Sequence, residues 1–478
     1  MPTNATTTGA HILVFPFPAQ GHMLPLVDFT HQLALRNLTI TILVTPKNVP
    51  LLTPLLSKHP SIHTLVLPFP NDPSIPSGVE NVKDLPASYF PAMIRTMGKL
   101  YKPTLEWFQS HPSPPTVILS DFFLGWTHHL ACQLGIRRIV FSPSGVGAFT
   151  LCFLSVWRTC PKRVNPNDEY EIISFPEVPN SPSYPWWQLG PLYRTYKKGD
   201  PVSEFIKKCS LANLDSWGIV FNSFSELESG CLDYMKQSCG HDRIWAIGPL
   251  IGHVDDKYKS NGLVPGNEIL SWLDTCDDHS VVYVCFGSQA VLTNKQMEEL
   301  ALGLEQSGVR FIWPIKKPTV GHVSSKYGMI PDGFEDRVAG RGLVYKGWAP
   351  QALILKHRAV GAFLTHCGWN SVLESLIAGV SMLTWPMNAD QFMNATLLVD
   401  QVGVAVRVCE GEKTIPNATD LAKFLAKSVC DNGFEKERVR AKELSKAALA
   451  AVKEGGSSFK DLNSLVEDIF ALNMNHKK

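Results

Sequence analysis

Two doubly wound α/β domains facing each other across a cleft are the architecture this sequence predicts, on three observations. Short apolar runs rich in β-branched residues alternate with amphipathic stretches along most of the chain. That rhythm stops at a polar stretch, DDKYKSNGLVPGN at 255–267, and restarts after it. The 478 residues are enough for two domains of ordinary size. In the first half, strands are expected at 11–15, 39–45, 63–67, 116–119, 138–141 and 218–222, with helices at 24–36 and 126–134. The near-continuous β-branched run Thr39-Ile-Thr-Ile-Leu-Val-Thr45 suits a parallel strand buried on both sides. The stretch 145–201, with its Pro, Tyr and Trp, reads as a long irregular excursion of the ligand-binding kind. In the second half, strands are expected at 280–286, 310–313, 343–346, 359–364, 381–385 and 404–408, with a helix at 294–306 and a loop at 316–332. The tail 457–473 carries Leu462, Leu465, Ile469 and Leu472 on one helical face. The division expected is therefore 1–254, a linker at 255–267, 268–456, and a terminal helix 457–478 returning to the first domain. In such folds ligands bind outside the carboxyl ends of the strands.

Composition narrows the function classes. Lys plus Arg number 44 against 43 for Asp plus Glu, so the chain has no basic footprint for nucleic acid or an anionic membrane. No apolar stretch approaches the ~18–20 residues of a membrane span. The eleven cysteines are scattered singly with no CxxC pair, which argues against a disulfide framework or a zinc site and for reduced thiols. The opening MPTNATTTGA has no Lys or Arg ahead of an apolar run broken by Pro16 and Pro18, unlike a secretory leader. A cytoplasmic monomer without metal or cofactor is the expectation. A nicotinamide-dependent oxidoreductase is disfavoured because no G-x-G-x-x-G follows the first strand.

The most informative segment is 348–391, WAPQALILKHRAVGAFLTHCGWNSVLESLIAGVSMLTWPMNADQ. A strand runs into Thr365-His-Cys-Gly-Trp-Asn-Ser371 and a helix starts there, so unpaired N–H groups form an anion site that needs no metal. Gly368 permits close backbone approach, and His366, Asn370 and Ser371 can donate to a diphosphate. Glu374, one turn after Asn370, can accept from ribose hydroxyls. Trp348 offers a flat face to a base, with Gln351 at its edge. Taken alone, Ser371-x-x-Glu374 reads better as a capping box than as a nucleotide contact, and only the whole segment tips it to the nucleotide, while Asp390 can also cap the following helix.

The segment resembles the signature box of plant UDP-dependent glycosyltransferases, a family of paired Rossmann-like domains in the GT-B arrangement. WAPQ, HCGWNS followed by Glu, and the closing DQ carry the resemblance, which PFPAQGHM, SDFFLGW, CFGS and EGGSS extend over nearly the whole chain. Ser381 and Pro314 are small departures from the pattern. The resemblance implies a donor site of Ser288, Trp348, Ala349, Gln351, His366, Gly368, Trp369, Asn370, Ser371, Glu374, Asp390 and Gln391. Ser288 would reach the second phosphate, and Asp390 and Gln391 would grip the sugar. Gln391 and Trp369 go with hexose users, so UDP-glucose is expected, with xylose, rhamnose and galactose as alternatives.

His22, in the loop after the first strand, and Asp121, after the fourth, stand at carboxyl-end positions. The resemblance makes them general base and orienting partner. A phenol, like Tyr, titrates near ~10 and needs a base at neutral pH. An imidazole suits that task. A single displacement would then invert the anomeric centre. A phenolic or flavonoid acceptor follows from resemblance to a branch that glucosylates flavonols and hydroxybenzoates. Phe123, Trp126, Phe149, Tyr184, Trp186 and Trp187 are candidate acceptor clamps, and Ser142 and Ser144 candidate contacts to a sugar hydroxyl. A catalytically silent UDP-sugar binder is the alternative from a different class.

Overall fold

The computed structural model describes residues 9–250, 267–316, 318 and 326–476. The first half builds strands β1 (His11–Phe15), β2 (Thr39–Val44), β3 (His63–Val66), β4 (Val117–Asp121) and β5 (Arg137–Ser142). A small hairpin, β6 (Ile172–Ser174) and β7 (Ser183–Pro185), follows, and then β8 (Gly218–Phe221) and β9 (Ile244–Ala246). Apart from the hairpin, these strands form one seven-stranded parallel sheet in the order β3-β2-β1-β4-β5-β8-β9. The second half builds β10 (Val281–Cys285), β11 (Arg310–Pro314), β12 (Gly342–Tyr345), β13 (Val360–Thr365), β14 (Ser381–Thr384) and β15 (Ala405–Arg407). They form a six-stranded parallel sheet, β12-β11-β10-β13-β14-β15. In both sheets the order in which strands are added reverses between the first and fourth strands, which is the topological switch point of a doubly wound fold.

Alternation of side chains along each strand explains the layers. Ile12 and Val14 face one apolar cluster and Leu13 and Phe15 the opposite one. In β10, Val281 and Tyr283 face one cluster, Val282 and Val284 the other. Burial on both faces is what made these strands readable as continuous apolar runs.

The helix Gln20–Ala34 begins four residues earlier than its apolar spacing suggested, which leaves Pro25 inside it. A proline has no N–H to give the carbonyl four residues back. That leaves the carbonyl of Gly21 without its helical partner, and the donor it finds lies in the second half of the chain.

Residues 145–201 are more ordered than an irregular excursion. They open with helical turns, Val146–Phe149 and Val156–Thr159, flanking a π-helical turn Thr150–Ser155, and then form the β6–β7 hairpin. Strands β6, β7 and β9 have three residues each, too few for any periodicity to register in sequence. The linker expected at 255–267 lies, apart from Asn267, outside the described residues.

The last helix, Ser457–His476, lays Leu462, Leu465, Val466 and Ile469 into the cluster formed by β1, β2 and helix Gln20–Ala34. Its first turn is tied to the end of β9: Asp461 Oδ2 accepts from the Ala246 N–H at 2.8 Å, and Ser458 Oγ donates to the Gly248 carbonyl. Each such aliphatic side chain stabilises its burial by ~1.5–3 kcal/mol. Leu465, fully buried, is the best-placed of them. Leu465→Ala is expected to cost ~2–5 kcal/mol in urea denaturation. An unchanged midpoint would contradict this docking.

Candidate active site

The carboxyl ends of both sheets open into one cavity of 1630 Å³, lined by residues from each half of the chain. On the first side, His22 lies in the opening turn of the helix that follows β1, and Asp121 is the last residue of β4 rather than a loop residue beyond it. Because β1 and β4 are neighbours, the two side chains meet: His22 Nδ1 is 2.8 Å from Asp121 Oδ2. A carboxylate only accepts, so Nδ1 carries the proton and the other ring nitrogen, Nε2, is left as an acceptor. Asp121 Oδ1 accepts the Phe123 N–H at 2.9 Å, and the carboxylate is wholly buried. Phe123 lies nearly parallel to the imidazole, 5.0 Å between centroids, with Phe17 and Phe122 at its edges.

On the second side, β10 ends in Cys285-Phe-Gly-Ser288 and β13 in Thr365-His-Cys-Gly368, again on either side of a switch point. The His366 ring is wedged between two glycines. A Cβ at Gly287 would lie 2.6 Å from its Nε2, and one at Gly368 2.4 Å. Burial pushes the His366 pKa down to about 4, so the ring is neutral at physiological pH and offers a hydrogen bond, not a charge. Cys367 and Ala389, beside the cavity, both take positive φ, 63° and 57°, which is uncommon outside glycine.

The helix Trp369–Ala378 starts at Gly368 with no side-chain cap, so Ser371 and Glu374 do not form a capping box. Both instead accept from Gln351 Nε2, at 2.9 and 2.6 Å. Trp348 and Ala349 stand beside Gln351 on the cavity wall, with the Trp348 side chain 52% exposed. Asp390 caps nothing with its side chain: Oδ2 accepts from Ser144 Oγ at 2.6 Å across the cleft. Gln391 Oε1 holds the N–H groups of Met387 and Asn388 at 2.9 and 3.0 Å, which fixes the amide at the cavity edge.

Further bonds join the two sides. Asn370 Nδ2 donates at 2.9 Å to the Gly21 carbonyl, the one that Pro25 leaves unpaired. Trp369 Nε1 donates at 2.7 Å to the Asn222 carbonyl, so its polar atom joins the halves. Lys316 reaches from beyond β11 to the Lys83 carbonyl at 3.2 Å and also contacts the Ser288 carbonyl. Burial lowers its pKa to about 8.

The structure therefore brings together His22, Asp121, Phe123, Phe149 and all of the expected donor residues around one space. Other expected residues fall elsewhere. Ser142 is fully buried and closes its own turn with Ser144, which is the serine that reaches the cavity. Trp187 packs edge-on against Phe392 at 5.0 Å, and Trp186 lies under the Arg163 guanidinium, so neither lines the cavity. Tyr184 and Trp126 are core residues. Phe90, Phe153, Trp157 and Tyr193 do line it and were not anticipated. Phe153 and Trp157 are one helical turn apart, a spacing that the assumption of an irregular loop concealed.

Comparison with known proteins bears on this site. The sequence profile described as "UDP-glucoronosyl and UDP-glucosyl transferase" matches residues 259–446, the half that carries the His366 turn and Gln391. The chain is 58% identical to UDP-glycosyltransferase 89B2 of Stevia rebaudiana, over 98% of this chain and all of the relative. It belongs to the UDP-glycosyltransferase family. Flavonol 3-O-glucosyltransferase UGT89B1 of Arabidopsis thaliana is 54% identical, over 99% of this chain and 98% of that protein. The crystal structure of Arabidopsis thaliana UGT89C1 complexed with UDP-L-rhamnose superposes with a TM-score of 0.80 at 38% identity, covering 97% of this chain and all of that one. The same relative has been crystallised with quercetin, at a TM-score of 0.78. The fold of this UDP-glycosyltransferase is thus that of the family's GT-B members. Among the described residues no cluster of three or more His, Cys, Asp or Glu forms a metal site, and no helix is long and apolar enough to cross a membrane.

The wedge around His366 gives this UDP-glycosyltransferase a sharp steric dependence. Gly368→Ala places a methyl against the imidazole and the approach to the helix N-terminus. UDP binding by calorimetry is expected to weaken by at least ~10-fold, the scale of a ~1.4 kcal/mol loss. Unaltered affinity would contradict the geometry.

Proposed function

We propose that this enzyme transfers glucose from UDP-glucose to a hydroxyl of a flavonoid or other small phenol, with inversion at the anomeric carbon. The observation that carries the reading is the placement of the His22–Asp121 pair and the uncapped helix at Trp369 on opposite walls of one cavity. The His22 Nε2 takes the acceptor's hydroxyl proton, while Asp121 holds the ring in the right tautomer and stabilises the imidazolium. The acceptor oxygen forms its bond to the anomeric carbon from the face opposite UDP. The electrons of the breaking C–O bond pass to the diphosphate.

Developing charge on that diphosphate is met by the N–H groups at the start of helix Trp369–Ala378, with Ser288, His366, Asn370 and Ser371 as further donors. Oriented donors of this kind are worth ~2.7–4 kcal/mol each in transition-state stabilisation. Trp348, Ala349 and Gln351 take the uracil and Glu374 the ribose. Asp390 and Gln391, half-buried at the cavity edge, select the sugar, with Trp369 behind them, because a mismatched hydroxyl would leave their polar groups unpaired once the sugar covers them. Phe123, Phe149, Phe153 and Trp157 give the acceptor an apolar, aromatic wall suited to a planar phenol. The close relative named a flavonol 3-O-glucosyltransferase and the quercetin complex of another relative support this acceptor class.

We place the reaction in the cytoplasm and assign it to a monomer. All eleven cysteines are unpaired thiols, as a reducing compartment favours. Residues of one chain line the cavity on both sides.

A donor panel of UDP-glucose, UDP-xylose, UDP-rhamnose and UDP-galactose against flavonols and hydroxybenzoates, read by mass, tests the specificity. UDP-glucose is expected to give the highest kcat/KM. His22→Ala is expected to lower kcat on a weakly acidic phenol by ~10²–10⁴-fold while the Kd for UDP holds. Full turnover by that variant would overturn the mechanism.

A further inference from the structure

Behind the His22–Asp121 pair lies a buried cation that the reaction as described does not use. Arg138 is the second residue of β5, next to β4, and its side chain is only 1% exposed. Its four hydrogen-bond acceptors are uncharged. Nε donates to Ser120 Oγ at 2.9 Å, Nη1 to Asn213 Oδ1 and Ser216 Oγ at 2.9 Å, and Nη2 to the Asp121 carbonyl at 3.1 Å. Burying a guanidinium without a bonded carboxylate costs several kcal/mol, a cost that folds retain where it serves a site. Desolvation lowers the Arg138 pKa to about 9, and the nearby Asp121 carboxylate works against that fall.

The hydrogens of these acceptors are committed elsewhere, and their destinations form a pattern. Thr127 gives its hydroxyl proton to the Leu124 carbonyl at 2.6 Å, so Ser120 must be the donor in its 2.7 Å bond to Thr127. Ser216 donates to the Ala212 carbonyl, and Asn213 Nδ2 donates to the Phe122 carbonyl at 3.0 Å. The carbonyls of Asp121, Phe122 and Leu124 are thus each held by a buried side chain, through Arg138 directly or through residues that Arg138 orients. That segment is the turn on which the Asp121 carboxylate and Phe123, the ring stacked on His22, are carried.

We infer that Arg138 is a positioning residue for the proton-accepting pair: its guanidinium fixes the main chain of Asp121 from behind and supplies the counter-charge to a carboxylate sealed from water. The inference rests on the reading of His22 and Asp121 as base and partner. Arg138 touches no substrate. It acts by keeping the carboxylate aligned on His22 Nδ1, and so keeps Nε2 aimed into the cavity.

The test separates acceptors by their need for a base. Turnover is measured on a weakly acidic phenol and on a nitrophenol-type acceptor with a pKa near ~7, already half ionised in the assay, which draws little on general-base catalysis. Arg138→Met is expected to lower kcat on the first by ~10²-fold and on the second by less than ~3-fold, with the Kd for UDP unchanged. Arg138→Lys keeps the charge without the fork, and is expected to lower the ratio of the two rates by ~10-fold. It decides by the same ratio if the Met variant does not fold. A ratio unchanged from wild type, whether both rates fall together or neither falls, overturns the inference by showing a structural role alone. His22→Ala keeps the two failures apart: full turnover there sinks the base assignment itself, whereas a selective loss there with an unchanged ratio in the Arg138 variants sinks only this proposal.

Discussion

A parallel sheet whose chain turns back after three strands has one place where consecutive connections leave toward opposite faces, and the backbone there opens a crevice. Everything in this enzyme's site depends on having two such crevices held mouth to mouth. Between β1 and β4 the crevice contains His22 and Asp121; between β10 and β13 it contains Gly287, Ser288 and the His366 turn. Neither is sufficient alone. One offers an imidazole at the cavity wall held by a buried carboxylate, the other an uncapped helix start beside a neutral histidine.

The contacts that close the cleft reuse the same elements. Asn370, Trp369 and Asp390 line the cavity from the second half of the chain, and each is bonded to the opposite half, to Gly21, Asn222 and Ser144. Pro25 makes the first of these possible by removing the N–H that would have claimed the Gly21 carbonyl. Ordinary hydrogen bonds contribute ~0.5–1.5 kcal/mol each and one to a carboxylate ~1.5–3. Together they set the registry of the halves at modest cost to opening. Phe392 and Met393 add an apolar component, joining the cluster built by the β6–β7 hairpin and its neighbours.

The strands of both sheets were legible because burial on two faces writes them as short runs of apolar and β-branched residues, Thr39–Val44 among them. The local structure at 360–371 was legible because a strand, a Gly-containing turn and a helix start appear in consecutive residues. The acceptor side was not. Tyr184-Pro-Trp-Trp187 advertised a ring-binding loop, but an aromatic residue does not declare which face it serves, and here Trp187 braces Phe392. Ser142 and Ser144 lie two residues apart at the end of one strand, and only the turn decides that the second reaches the cavity. Ser371 and Glu374 had the spacing of a cap, and Gln351, twenty or more positions away in sequence, claimed both. In each case a contact distant along the chain settled the role, and local pattern carries no record of it.

The most direct measurement is a crystal structure of the enzyme with an unreactive UDP-sugar analogue and a phenolic acceptor bound together. The account predicts the acceptor hydroxyl within hydrogen-bond reach of His22 Nε2, ~2.6–3.2 Å, the diphosphate on the N–H groups at Trp369–Ser371, and the anomeric carbon between them. An acceptor oxygen remote from His22, or a diphosphate seated away from that helix start, would contradict it.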